Sequence, residues 1–377
     1  MHSLVLGLFF VLLVLVTAAL MGAMPWLEQH GQCFAVTVPE SAAHDPRFEA
    51  ERRAYASKVA VLAAVCAAAV GVAAALDATG RAGTIALVIA TIALVAIPFA
   101  LMLRSRARVR AIKAEEGWHA KRQVRVAAIG ELELPQPVPV AWELLHAPLA
   151  LVALGLGIAL LPQMPERVAI HFDAAGVADN WVDHGPAAVA MPVALIVFMG
   201  IMFAGCHVMV TRSKRGVAAN APAAAALGYA RYARAMTRML CAGGLAVNAA
   251  FSLLPLQFAG ILPLQAWIAC TLLVAAIMVA WAIWISLVYG QNGSRAVARM
   301  MASGTRPDSS DGTMPADDDR LWRWGVFYAN ADDAAVLVPK RFGIGWTLNW
   351  ARPASWGIVA GFIALTAALI AFAIIVA

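Results

Sequence analysis

The chain has 377 residues, of which 62% are apolar and 13% charged, with a formal net charge of +6. A soluble domain carries about a quarter charged residues, so this composition excludes an ordinary soluble globular fold. The placement of the basic residues, described below, also argues against a direct nucleic-acid partner.

Runs of roughly 20 apolar residues are long enough to cross a bilayer core as helices. Eight such runs occur, at about 4–24, 58–76, 83–103, 144–162, 187–210, 239–259, 264–289 and 354–376. Ala- and Leu-rich runs satisfy their own backbone as helices, not as barrel strands. The expected fold is therefore an all-α polytopic membrane protein with eight transmembrane helices. The first run is read as a true span, because only Met1, His2 and Ser3 precede it and the basic n-region of a signal peptide is lacking.

The chain divides into an N-terminal membrane half with three helices and a basic loop (1–143), a helix pair around a His-, Asp- and Trp-bearing loop (144–210), and a basic loop with helices six and seven (211–289). A linker (290–316), an aromatic and basic segment (317–353) and the last helix (354–377) follow. Eight spans put every Lys and Arg except Arg81 and Arg167 into four loops on one side. The positive-inside rule makes that side cytoplasmic and both termini extracytoplasmic. The surplus is a topology signal with some attraction to anionic lipid, so membrane lipid is the partner that composition implies.

Helices one to three and five to seven share a rhythm of a long cytoplasmic and a short outer connection. Their long loops end in "RRAYASKV" (52–59) and "GYARYARAMTRM" (228–239), so a parallel 4+4 repeat fits. Gly200, Ala204 and the run 67–75 are small enough for close helix approach. The five Cys are odd in number and form no CxxC, which does not support a disulfide framework.

Familiar catalytic and nucleotide motifs are absent, and neither catalytic residues nor a cofactor are expected. Glu143 and His146 share a helix face. Carboxylate–histidine metal sites use that spacing but need ligands from other helices. The two are expected to be polar residues at the cytoplasmic start of helix four. His207 lies near the cytoplasmic end of helix five, and Asn248 is expected to make an interhelical hydrogen bond. Scarce intramembrane ionisable groups weigh against an ion-coupled transporter.

The outer loop 161–192 crowds His171, Asp173, Asp179, Asp183 and His184 together. Three readings stay open. His171, Asp179 and His184 are candidate ligands for a transition metal. The histidines could make a pH-sensitive contact. Or the loop is an ordered cap with Trp181 at the interface. As a recognition surface it would use His171, Asp173, Asp179, Trp181 and His184. The pattern Leu161-Pro162, Pro165, His171-Phe172, Gly176, Asp179 and Trp181 resembles the bacterial membrane domain of unknown function sixteen-forty-eight, which also opens the Sdp-type toxin-immunity proteins. Ala169 stands where that family usually has Pro, and His184 where it usually has Lys.

In the segment before the last helix, "LWRWGVFY" and "AVLVP" read as short strands with "NADD" as their turn, and Gly343 and Gly345 permit tight turns. Five of the chain's twelve Trp lie in 322–356, and such aromatics sit well at headgroup level. The expectation is a small cytoplasmic interfacial β-hairpin module. Lys340 and Arg341 would hold lipid phosphate or pair with the Asp317–Asp319 run. Trp322, Tyr328, Asn330, Lys340, Arg341, Trp346 and Asn349 would serve either as a plug for helix ends or as a docking face for lipid or a partner. Trp322, Gly325, Phe327-Tyr328, Asn330, Asp333, 338–341, Gly343, 345–347 and Asn349 resemble the small domain of unknown function fifty-eight-oh-eight. Ala331 and Ala334 stand where it often has Pro.

The first resemblance implies a non-enzymatic protein of the bacterial cytoplasmic membrane, acting in sensing or immunity toward an extracellular peptide or envelope stress, with a cytoplasmic regulator or transporter subunit as a candidate partner. The alternative is a transporter or a subunit of one. The charge asymmetry generates a direct test. In a cysteine-free background, single cysteines at positions 80 and 176 should react with an impermeant thiol reagent in intact cells. Cysteines at 120, 220 and 330 should not, and labelling at 330 would overturn the orientation.

Overall fold

The computed structural model describes residues 2–29, 31–39, 42, 45–77, 81–119, 134–172, 177–214, 222–303 and 318–376. Among them, eight helices are long and apolar enough to cross a membrane, as expected of a multipass membrane protein. Helices α1 (His2–Ala23), α2 (Pro46–Leu76) and α3 (Arg81–Glu115) pack on one another. Helix α4 (His146–Leu160) follows a 3-10 turn at Val140–Leu145. It packs with α5 (Pro186–Arg212), α6 (Pro222–Ser252) and the short α7 (Leu254–Phe258). Helix α8 (Leu264–Tyr289) lies on α6, and the final α10 (Pro353–Val376) lies on α5.

Several helices outrun their apolar runs at the basic end. The second begins at Pro46 and not near residue 58, and the sixth at Pro222 and not near residue 239. The reason is local. Asp45 caps α2 by accepting from Arg47 N–H (2.8 Å), with Pro46 in the first helical position. Glu49 then pairs with Arg53 one turn on (3.1 Å). Glu51 accepts from Ser105 Oγ (2.8 Å) and Arg108 (2.9 Å), which zips the charged extensions of α2 and α3 together. Part of the expected linker is also ordered: α9 (Ser294–Ser303) packs on α6 and α8, whereas 304–316 lies outside the described residues.

Four two-stranded antiparallel ribbons complete the fold. Ribbon β1 (Gln32–Cys33)–β2 (Val36–Thr37) lies between α1 and α2. Ribbon β3 (Arg167–Phe172)–β4 (Ala178–Asp183) joins α4 to α5 at the opposite end. The aromatic segment is not one hairpin turning at "NADD". It is two, β5 (Trp322–Arg323)–β6 (Phe327–Tyr328) and β7 (Leu337–Pro339)–β8 (Trp346–Leu348), joined by a Tyr328–Asn349 bridge. The first turns at 324–326, where Trp324 and Gly325 have positive φ. A side chain at Gly325 would also run into Ala35 and Arg106, 2.8 and 2.9 Å from an added Cβ, so both the turn and the docking require glycine there.

Gly200 acts as the small residue it was expected to be. An added Cβ would sit 3.0 Å from His146 Cβ, so α4 reaches α5 closely at that level.

Candidate functional site

The two hairpins before α10 form a collar at the basic end. Its inner hub is Asn349, which is fully buried. Its amide nitrogen donates to Asn330 O (2.8 Å), Asp333 O and Ala335 O (both 3.1 Å), while its Oδ1 accepts from Asn330 N–H (2.9 Å). One side chain thus replaces the strand ladder that "NADD" does not make. Asn330 Nδ2 donates to Tyr328 Oη (3.2 Å), and Tyr328 donates to Asp333 (2.8 Å). Burial pushes the Tyr328 hydroxyl up to about 12. Desolvation opposes ionisation of Asp333, but bonds from Lys214, Ala335 N–H and Tyr328 outweigh it and hold the carboxyl below its usual range.

Lys340 and Arg341 are adjacent in sequence and opposite in fate. Lys340 is exposed, and its carbonyl accepts from Gln29 (2.9 Å). Arg341 is buried, stacks over Trp322 (4.9 Å) and donates to Asp318 and Asp319. The expected pairing with the acidic run is therefore made by Arg341. Asp317 lies outside the described residues. Asp319 also accepts from Lys113 (2.7 Å) and from Thr37 N–H and hydroxyl (3.1 and 3.0 Å). The Trp322 and Tyr328 rings meet at 5.1 Å, and Trp346 lies against Tyr232 of α6 at 6.2 Å. Trp324, Phe327, Trp350 and Trp356 make a continuous run of ring contacts at 5.1–6.1 Å along the collar's outer side down to α10. Trp324 and Trp356 are the exposed ends of that run.

The β1–β2 turn beneath the collar escaped the sequence reading. Phe34 and Ala35 both have positive φ and are completely buried. Such strain persists only where surroundings fix it. Glu28 accepts from both of their N–H groups (2.9 Å each), and Arg106 donates to both carbonyls. Burial pushes the Glu28 carboxyl up to about 8, against the pull of those N–H bonds and of the Arg52 and Arg106 guanidiniums. No motif signals this arrangement, because the turn that makes Glu28 useful is not written in its neighbours.

At the opposite end, β3–β4 buries Val168 and Val182 against Leu254 and Phe258 of α7. His171 Nδ1 meets Asp179 Oδ1 at 2.5 Å, and both side chains are largely exposed. Arg167 stacks over Trp181 (5.5 Å). His184 lies beyond the far end of the ladder, bonded to Met164 O (3.2 Å). The three candidate metal ligands are thus divided between a pair and a separate histidine. Among the described residues no group of three or more His, Cys, Asp or Glu could hold a metal. Asp173 lies outside the described residues.

Glu143 and His146 are not simply polar residues at a helix start. Both are buried, together with His207 and Asn248 at 0% exposure. Glu143 Oε1 meets His207 Nδ1 (2.6 Å) and Oε2 meets His146 Nε2 (3.0 Å). Asn248 makes the expected interhelical bonds, to His146 Nδ1 (2.7 Å) and Ile196 O (2.9 Å). The available signal was Glu143's setting. Val140, Trp142, Leu144 and Leu145 around it are exposed and apolar, so the carboxyl is the side chain turned inward.

Residues 149–196, from α4 through the β3–β4 ribbon into α5, match a family described as a domain of unknown function (DUF1648). Residues 331–356, from the Asn349-held loop to the start of α10, match a family of unknown function (DUF5808). The two follow in the order their resemblances imply. Trp322, Tyr328 and Asn330 precede the second matched segment. No curated protein and no solved structure matches the chain.

Two outcomes follow. Arg341→Met takes the guanidinium from the buried Asp319 and the partly exposed Asp318 and should cost about 3–5 kcal/mol, whereas Lys340→Met should cost about 0–1 kcal/mol. Thermal unfolding in detergent measures both. For Glu28, the folded carboxyl binds its proton more tightly than the unfolded one. Stability from this group is complete below the unfolded value of 4.5 and is lost as pH rises through about 8. The melting temperature should fall across that window, and Glu28→Gln should flatten the fall.

Proposed function

We propose that this chain is a non-enzymatic integral membrane protein that senses, or confers immunity toward, an extracellular peptide or envelope stress. In this reading the basic end faces the cytoplasm of a bacterium, both termini are extracytoplasmic, and the β3–β4 ribbon is the outer recognition surface through His171, Asp179 and Trp181. The collar's aromatic side rests in the lipid headgroups, and its exposed face takes a cytoplasmic regulator or transporter subunit.

The observation that carries the reading is the continuity of α5. It starts three residues after β4 and ends two residues before Lys214. Lys214 is hooked to the collar through its N–H to Leu337 O (2.8 Å) and its Nζ to Asp333 (2.5 Å). A displacement of the ribbon therefore has one continuous helix, with Pro192 inside it, to travel along and a polar latch at its end. The rhythm of long and short connections supports an ancestral 4+4 duplication, although α4 packs with α5 and α6, which groups the helices three and five.

A second reading, a transporter or a subunit of one, is favoured by the buried Glu143, His146 and His207, because ionisable groups between spanning helices mark ion or substrate paths.

The test compares cells carrying the wild type, His171→Ala with Asp179→Ala, or Lys214→Met, challenged with membrane-active peptides. The changed groups are partly or largely exposed, so melting should shift little. Both variants should lose protection. Wild-type protection by the ribbon variant would end the sensing reading.

A further inference from the structure

We propose that Glu143, His207 and His146 form a buried proton-binding site that holds one exchangeable proton within the helix bundle. The site is independent of whether the chain senses or transports.

The argument begins with donors and acceptors. His207 is completely buried. Its Nε2 lies 2.8 Å from Val138 O and its Nδ1 lies 2.6 Å from Glu143 Oε1. A carbonyl oxygen can only accept, so Nε2 carries hydrogen. The neutral ring has no second hydrogen. The short Nδ1–Oε1 contact therefore requires one further proton, lying either on Nδ1 opposite a carboxylate or on Oε1 opposite a neutral ring. Without it, two lone pairs would face each other at 2.6 Å inside the bundle, beside an uncompensated buried charge.

The other side of Glu143 fixes the remaining roles. Asn248 Nδ2 donates to His146 Nδ1 and to Ile196 O, which leaves hydrogen on His146 Nε2 to donate to Glu143 Oε2. His146 is thereby the neutral partner, and the proton belongs to the Glu143–His207 pair. The groups that face Glu143 are these two histidines, with the thiols of Cys206 and Cys241 close enough to feel its charge, and Asn248 of α6 reaches it only through His146. Among the described residues its ion-pair partners are both histidines, with no Lys or Arg.

The location gives the site its use. Ile196 and His207 are separated by about 16 Å along α5, at 1.5 Å per residue. The hydrogen-bonded series from Val138 O through His207, Glu143, His146 and Asn248 to Ile196 O therefore runs lengthwise inside the bundle. Transfer of the proton between Nδ1 and Oε1 breaks one N–H bond and forms one O–H bond, with no other co-reactant.

The experiment uses full-length protein in detergent or nanodiscs at neutral pH. Selective ¹⁵N histidine spectra read the two nitrogens of His207, assigned by comparison with His207→Asn, and infrared difference spectra against Glu143→Gln read a protonated carboxyl. The proposal expects either both His207 nitrogens protonated or a protonated Glu143, and it expects that signal to vanish in Glu143→Gln and to persist in Glu143→Asp. A neutral His207 together with an ionised Glu143 in the wild type overturns it. If Glu143→Gln fails to fold, Glu143→Asp supplies the infrared difference, because it shifts a protonated carboxyl band, and His207→Gln replaces His207→Asn in the assignment if that variant fails. None of these readouts depends on protection or transport.

Discussion

Asp319 receives donors from three segments far apart in sequence: Thr37 of the β1–β2 ribbon, Lys113 at the end of α3, and Arg341 of the collar. A buried carboxylate with one cation would be a poor bargain, since desolvation consumes most of the attraction. With two cations and two neutral donors its oxygens are satisfied, and losing either cation leaves a buried carboxylate with less compensation for its desolvation. The collar strands are two or three residues long, and isolated ribbons of that size are marginal in water. Their order comes from this node, from Asn349, and from the rings of Phe342, Phe34 and Tyr55, which meet at 5.7–6.0 Å. The collar thereby binds the α1–α3 group, while Lys214 and Trp346 bind it to α5 and α6.

That arrangement divides the module into an inward and an outward set of side chains. Inward side chains, Arg341, Asn349 and Trp322, are committed to neighbours. The outward run from Trp324 to Trp356 ends in two exposed indoles. The β3–β4 ribbon follows the same division, with Val168 and Val182 packed on α7 and the His171–Asp179 pair at the surface.

The polar series inside the bundle obeys a stricter rule. Helices α4, α5 and α6 each contribute to it, and Gly200 is what lets His146 come close enough. Apolar side chains of the same size would pack there without any desolvation cost. Four buried polar groups are costly unless they satisfy one another, and here each of the four bonds to a neighbour in the series, with Asn248 Oδ1 left without a partner.

Some of this was legible from the sequence. Apolar runs of sufficient length specify eight helices, because hydrocarbon admits few alternatives for an unsatisfied backbone. The aromatic and glycine spacing marked the collar as ordered, while an ordered cap was one of three readings of the outer loop. Helix ends were misjudged where charged turns continue a helix, since Glu49, Arg53 and Glu51 look like loop until their partners are known. The Glu143–His146 spacing was visible, but its meaning depended on His207, 61 residues beyond His146, and on Asn248. Likewise Arg341 and Lys340 are equivalent letters in a basic pair. Which one is buried depends on which face the β7–β8 turn presents to Asp319, and Glu28 matters only because a strained turn folds over it. Local composition fixes what each segment can bury. Only the packing of distant segments decides which polar groups meet, because a hydrogen bond or ion pair is made by position and not by proximity in the chain.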